Sequence, residues 1–436
     1  MKRRIFGSLL AVSLSLSAVA QISSTVSPYS QFGYGVLSDQ SQSFSRGMSG
    51  LSIGLRSGKV VNILNPASYS AVDSLTMILD AGVSGQISNF KEGGKKVNGK
   101  TGTFDYAVAS FRLLKKVGFA VGVVPFTNVG YTYSRDSIDG SSSSYSEMHV
   151  GDGGMSQVFI GAGWEVFPGF SVGANFSYLW GDWAKTVMLV SADSYVNTLT
   201  RIYTVDVSSY KLDFGLQWQT KLGKDNMLTL GATLGVGHQM KSDASLITAN
   251  TNSQSDASST VDTLYCSNAL SMPFSFGFGT TFLHKGKLLV GFDYQLQKWG
   301  SMDYPSLTKR QVDGVMKNVY VKMGGLLKDR HKIVVGADWI PNPLSRRSIL
   351  HRVHYRVGAS YATPYYKIGT QDGPEEITLS AGLGIPLINS WNNRSTLNIS
   401  AQWVHNSASG LVTENGFRIN IGLTFNERWF AKWKVD

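Results

Sequence analysis

The 436-residue chain has a single cysteine, Cys266, and only 11 prolines, and charged residues make up just 16 % of it. One cysteine excludes an intramolecular disulfide framework and a multi-cysteine metal site, so Cys266 reads as a small wall residue. So little charge does not suit a set of helices packed in water. Beyond the N-terminus no apolar run approaches the ~20 residues a membrane helix needs. Nothing resembles a linker between compact halves, although the length would hold two or three soluble domains at the usual size of roughly 100–200 residues. Motifs that carry chemistry are equally scarce. Gly151-Asp152-Gly153-Gly154 joins no strand to a helix, so it reads as a bend in a strand at a rim rather than a phosphate cradle. His351 and His354 are three apart, which on a strand puts them on opposite faces and argues against a shared metal. No Ser and His with an orienting polar residue stand out on one wall, as a hydrolase would need. The expectation is a protein that is not an enzyme and needs no cofactor or metal.

Glycine, at 47 positions, and aromatic residues, at 11 %, are plentiful, a balance that suits long strands and turns. At the N-terminus Lys2, Arg3 and Arg4 precede an apolar stretch from Ile5 that ends in Ala18-Val19-Ala20. This is the layout of a secretory leader over 1–20, and because Gln21 is not cysteine a lipid anchor is not expected. The net charge of +11 sits largely in brief polar breaks such as Lys115-Lys116, Lys285 with Lys287, Arg346-Arg347 and the tail residues Arg428, Lys432 and Lys434. Solvated turns at a membrane rim account for it better than a nucleic-acid surface.

The chain is organised around 117–133. At period two, Val117, Phe119, Val121, Val123, Pro125, Thr127, Val129, Tyr131 and Tyr133 form a mostly greasy face. Gly118, Ala120, Gly122, Val124, Phe126, Asn128, Gly130 and Thr132 form a mostly small or polar one. Such a strand is too long for an ordinary soluble core and too glycine-rich on its second face for a wet surface, whereas lipid outside and a lumen inside fit both. Pro125 cannot donate a ladder hydrogen bond and marks a bulge, kink or unpaired place in the wall. The alternation recurs from Leu75 onward, as in Phe170, Val172, Ala174, Phe176, Tyr178 and Trp180 opposed by Gly169, Ser171, Gly173, Asn175 and Ser177. Short breaks alternate with long polar ones at 135–146, 182–199, 241–262, 301–328, 363–376 and 406–415, the pattern of short periplasmic turns and long outer loops. The count gives an all-β, transmembrane antiparallel β-barrel of about 14 strands spanning 74–425, with a tail at 426–436 and both mature termini periplasmic. Trp164, Trp218, Trp339, Trp391, Trp429, Phe430 and Trp433 suit one interfacial girdle; Tyr131, Tyr133, Trp180 and Trp299 suit the other. In the second strand, 103–113, the apolar parity switches near Ser110, which calls for a bulge.

Residues 21–73 are too short and too poor in apolar side chains to form a core of their own. Tyr29, Phe32, Tyr34, Arg46 and Arg56 favour a plug folded inside the barrel. The inward parity of the strands carries Asp80, Asp213, Asp293, Asp338, His354, Arg356 and Arg418, and ion pairs between these and Arg46 and Arg56 would hold the plug.

With Asn65-Pro66-Ala67 ahead of these strands, the opening 27–33 (SPYSQFG) and the endings 414–417 (ENGF) and 423–430 (LTFNERWF), the chain resembles the FadL/OMPP1/TodX family of outer-membrane transporters of hydrophobic compounds, most of all its Bacteroidetes branch. The resemblance covers essentially the whole mature chain. It implies a fourteen-stranded barrel with an N-terminal hatch bearing Asn65, Pro66 and Ala67, and a kinked third strand that opens a side window. Here the third strand holds Pro125, so Gly122, Pro125, Phe126 and Gly130 are the candidate lateral opening. The long apolar outer-loop segments of that family are not found; the stretch 241–262 is mostly Ser, Thr, Asn and Asp. The expected function is passive uptake of small hydrophobic molecules in the outer membrane of a Gram-negative bacterium, by hatch movement and lateral exit. The expected surroundings are membrane lipid and lipopolysaccharide, with a small hydrophobic ligand and no nucleic acid. The alternative is a non-transporting scaffold that binds an outer-membrane protein partner in a secretion or assembly complex.

Overall fold

The computed structural model describes residues 25–138, 144–193, 195–252, 254, 259–312, 314–345, 348–387 and 395–428. The leader at 1–20, Arg346-Arg347, Trp391, Trp429, Phe430 and Trp433 lie outside the described residues.

Period-two alternation, once closed on itself, gives a ring. Its strands are β1 (Thr76–Glu92), β2 (Lys95–Leu114), β3 (Val117–Ile138), β4 (Ser144–Phe167), β5 (Phe170–Ser191), β6 (Thr198–Leu222), β7 (Asn226–Gly235), β8 (Ser275–His284), β9 (Leu288–Gln297), β10 (Arg330–Trp339), β11 (His354–Ala362), β12 (Glu375–Pro386), β13 (Thr396–Ser407) and β14 (Thr413–Arg428). Each pairs antiparallel with the next, and β14 returns to β1 from Lys91↔Thr413 to Thr76↔Arg428, closing a 14-stranded barrel. Closure removes the sheet edges that lipid cannot satisfy. On β5, Phe176, Tyr178 and Trp180 are exposed while Ser171, Asn175 and Ser177 are buried, as the alternation requires. The same outward row continues round the ring through Phe214, Phe278, Phe292, Val335, Val357, Leu379, Ile399 and Ile421. A continuous apolar belt of this kind is stable only against hydrocarbon.

Trp164, Trp218 and Trp339 are half exposed at the short-turn end. Two expectations are corrected at the other end. The polar stretches 135–146, 182–199 and 241–262 are largely strand rather than loop: β5 runs to Ser191, β6 starts at Thr198, and a strand at Ser242–Thr251 pairs with the top of β6. Above the bilayer both faces meet polar surroundings, so the apolar alternation fades while the backbone ladder continues. Trp299 and Tyr131 are buried instead of facing the interface, because both belong to an apolar cluster that fills the outer mouth. Gly151-Asp152-Gly153-Gly154 lies inside β4, level with Val129, Tyr131 and Trp183 of that cluster; Gly153 and Gly154 have φ of +117° and +148°, conformations open to glycine.

Candidate functional site

Parity breaks in two facing strands define the site. Between Pro125 and Thr127 the β3–β4 register slips by one residue at Phe126. A one-residue bulge turns every later side chain to the other face, so Val129 and Tyr131 are buried inward, where unbroken alternation puts them outward. In β2 one slip falls at Asp105, between the Gly82↔Tyr106 and Val83↔Phe104 pairs, and a second at Leu113, between the Arg112↔Gly118 and Leu114↔Val117 pairs, on either side of the expected position near Ser110. Just below the bulges at Asp105 and Phe126, on the short-turn side, the two strands part. The β2–β3 ladder runs only from Leu114↔Val117 to Ala107↔Val123, although both strands continue well beyond it.

The vacated edge of β3 is covered from inside. A short hatch strand, Val36–Leu37, pairs with Asn128 and Thr127. Ser38 N–H donates to the Phe126 carbonyl (3.0 Å), and Gln40 Nε2 donates to the Pro125 carbonyl (2.6 Å). Since the N–H and C=O of one residue point to the same side of a strand, proline leaves no orphan donor on the side facing the hatch. Gln157 Nε2 of β4 donates to Gln40 Oε1 (2.5 Å), and Asn128 Nδ2 to Ser38 Oγ (2.9 Å). Of the candidate opening, Pro125 and Phe126 stand at the gap. Gly130 lies above it and both donates to and accepts from Ser30 Oγ of the hatch, while Gly122 lies below it against Val108 and Phe159 of the wall.

The hatch winds across the lumen. Asn65 is fully buried; its Oδ1 accepts from Ala67 N–H (3.2 Å), starting the 3₁₀ turn Pro66–Ala71, and its Nδ2 donates to the carbonyls of Ile53 and Leu216. Pro66 rests on Gly163 and Gly173, and Met48 on Gly336 and Gly358, so closely that a Cβ on any of these glycines would lie under 3.0 Å from hatch atoms. The hatch begins toward the long-loop end: Val26 packs on Gly99 of β2, and Ser27 Oγ donates to Glu414 Oε2 at the top of β14 (2.7 Å).

The charged residues singled out in the sequence are tied differently from the expectation. Arg46 pairs with Asp105 (2.7 Å), the bulge residue, and none of the anticipated acids. Burial lowers the Arg46 pKa, but Asp105 and Asp39 raise it further, so the guanidinium stays charged. Arg56 donates to the Ala67 carbonyl, Ser70 and Gln217, and among the described residues it forms no ion pair with a carboxylate. Asp293 does hold the hatch, accepting from the N–H groups of Ser52 (2.6 Å) and Ile53 (2.9 Å). Asp338 stays within the wall, bound to His354 (2.8 Å) and Arg356 (3.1 Å), while Arg356 lies over the ring of Phe44 from the hatch at 4.0 Å. Asp213 pairs with Lys211 two residues away on its own strand, and Arg418 donates to Gln86 (2.8 Å). Asp80 accepts from Tyr106, whose hydroxyl oxygen accepts from Ser43 N–H of the hatch. Parity gave the facing direction of these groups; which of them meet depends on ring position, which a linear pattern does not encode.

A cavity of about 270 Å³ lies behind the gap. Phe104, Asp105, Pro125 and Phe126 line it at the lips, Leu37 and Gln40 along the hatch, and Gln86 and Arg418 are among its polar wall groups. Above it the mouth is filled by Tyr34, Trp183, Trp299, Tyr365 and their neighbours. Among the described residues no cluster of three metal-ligating side chains occurs.

A family model described as BamG matches residues 1–436. Among curated proteins nothing matches. The fold is similar to those of solved FadL-type barrels. The P. putida toluene transporter TodX aligns with a TM-score of 0.57 at 14 % identity, over 92 % of this chain and 99 % of that one. The Ralstonia pickettii toluene transporter TbuX gives 0.57 at 14 % identity over 87 % and 96 %, and a Pseudomonas aeruginosa FadL homologue 0.56 at 12 % over 88 % and 97 %. At these identities the likeness is one of fold.

Proposed function

The chain belongs to the BamG family, and from that premise we propose that it is an outer-membrane barrel passing small hydrophobic molecules between its lumen and the bilayer through the gap beside Pro125. The observation that carries this reading is the coincidence of three features: a ladder that stops at Ala107↔Val123, bulges at Asp105 and Phe126 on the two lips, and a cavity lined by both lips. The names of the solved barrels of like fold, toluene transporters among them, point the same way. In this reading the barrel sits in the outer membrane of a Gram-negative cell, against lipid and lipopolysaccharide, with the end of β14 on the periplasmic side; the apolar belt and the leader-like sequence at 1–20 support it. A greasy solute gains about 25 cal/mol for each Å² it keeps out of water by leaving sideways. The hatch strand is the gate, since it occupies the β3 edge that the exit uncovers. Ingress from outside requires the aromatic cap to part.

That filled mouth favours a second reading, a scaffold whose barrel anchors an outer-membrane protein partner in a secretion or assembly complex. Uptake of a small aromatic hydrocarbon into proteoliposomes, compared with a Pro125→Val variant, separates the two. The channel reading expects the variant to lose most of the uptake. Equal uptake in both, or a stable partner copurifying with a barrel that passes nothing, would leave the scaffold.

A further inference from the structure

We propose that Lys185, Tyr304 and Tyr365 form a clasp that positions the hatch strand from the extracellular side, so that the state of the outer cap decides whether the gap at Pro125 is covered. This rests on the reading of the gap as an exit. The clasp closes on the hatch turn at 33–35, where Gly33 and Gly35 adopt φ of +51° and +94°. Three separate parts of the barrel grip that turn. Lys185 of β5 donates to the carbonyls of Gln31 (2.9 Å) and Gly33 (2.8 Å). Tyr304, at the base of the hairpin that follows β9, donates its hydroxyl to the Gly33 carbonyl (2.8 Å). Tyr365, in the connection after β11, accepts from Tyr34 N–H (3.1 Å) and donates to the Gly35 carbonyl. Tyr34 itself is wholly buried, its ring edge-on to Trp299 at 4.9 Å and its hydroxyl donating to the Ser271 carbonyl (2.9 Å).

Two features make this more than cap packing. The next residue after the turn is Val36, the start of the strand that covers β3, and each residue spans at most about 3.6 Å. The chain between clasp and gate has no slack to absorb a displacement. Secondly, among the described residues Lys185 has no carboxylate partner: besides the two hatch carbonyls, its ammonium reaches only the Tyr304 hydroxyl (3.4 Å) and lies near the rings of Trp183 and Tyr304. A buried ammonium without hydrogen-bond acceptors is costly, and the acceptors here are supplied mainly by the hatch. The lysine therefore suits the docked hatch and not the empty wall.

The test uses the mature full-length protein carrying Cys266→Ala and Leu37→Cys, with labelling by a water-soluble maleimide as the readout of hatch-strand position. In Lys185→Met and Tyr304→Phe backgrounds the labelling rate rises about tenfold, as expected when a buried hydrogen bond no longer opposes local opening. Tyr320→Phe, in the same aromatic cluster but without a hatch contact, leaves the rate unchanged. Circular dichroism and heat-modifiable mobility verify that each barrel is folded. Unchanged labelling in both clasp variants, or an equal rise in Tyr320→Phe, overturns the clasp. If labelling follows the clasp variants while no solute passes any of them, the clasp stands and the transport reading falls. If solute passes and labelling ignores the clasp, the reverse holds.

Discussion

Two seams of the same barrel solve the same problem differently. Strands β4 and β5 pair from Phe167↔Phe170 to Tyr145↔Ser191, through the bilayer and above it. Strands β2 and β3 are nearly as long, but their ladder ends at Ala107↔Val123. An open edge facing hydrocarbon leaves backbone groups unsatisfied at several kcal/mol each, so the second seam persists only because something else covers it. Pro125 lacks the donor, its carbonyl is taken by Gln40, and the hatch strand stands in for the missing neighbour. The difference between the seams shows that the hatch is part of the wall at this one place, and that moving it changes the wall.

The comparison can be broken most severely at the ion pair joining hatch to lip. Asp105→Ala strands the buried Arg46 guanidinium and should cost about 3–5 kcal/mol, read as a drop in the denaturant midpoint and an increase in lumenal ion conductance. A smaller loss, of roughly 1–3 kcal/mol, is expected for Gly173→Val, where the new side chain must displace Pro66 from its seat; hatch proteolysis in the folded barrel reports it. Acid should act on the same side of the lumen. Burial raises the Asp39 pKa, but the charges of Arg46 and Lys332 and the hydrogen bonds from Ser41 bring it below the ordinary carboxylate value. A carboxyl with a lowered folded pKa stabilises above its unfolded value of about 3.9 and loses that contribution as pH falls through the folded value. The Asp39 share of hatch protection against protease, read as the difference between the wild type and Asp39→Asn, should therefore be constant at neutral pH and vanish only below about pH 4. The smallest effect belongs to Arg418→Gln, which gives up a hydrogen bond to Gln86 and no direct ion pair, for about 1 kcal/mol.

Much of the barrel was legible in sequence because lipid enforces a strict rule: a strand such as 170–180 must show grease at every second residue, and its order among turns gives its place in the ring. Pro125 was legible as an interruption for the same reason. The matching break in β2 was visible only as a parity fault near Ser110; the strand slips on both sides of that point, at Leu113 and at Asp105, and the second is masked because Phe104 and Tyr106 flank it. The hatch contacts were much less readable. Arg46 and Asp105 are far apart in sequence and meet only after closure. The clasp residues Lys185, Tyr304 and Tyr365 sit in polar segments where neither alternation nor a motif marks them, and a lysine amid aromatics was the single available hint.

In the proposed mechanism the hatch strand gates the seam beside Pro125. Leu37 and Thr127 are register partners across that contact, so Leu37→Cys with Thr127→Cys, in a Cys266→Ala background, can staple the strand to β3. Hydrocarbon uptake into proteoliposomes should be abolished when the staple is oxidised and return on reduction. Equal uptake in the oxidised and reduced states would contradict the account.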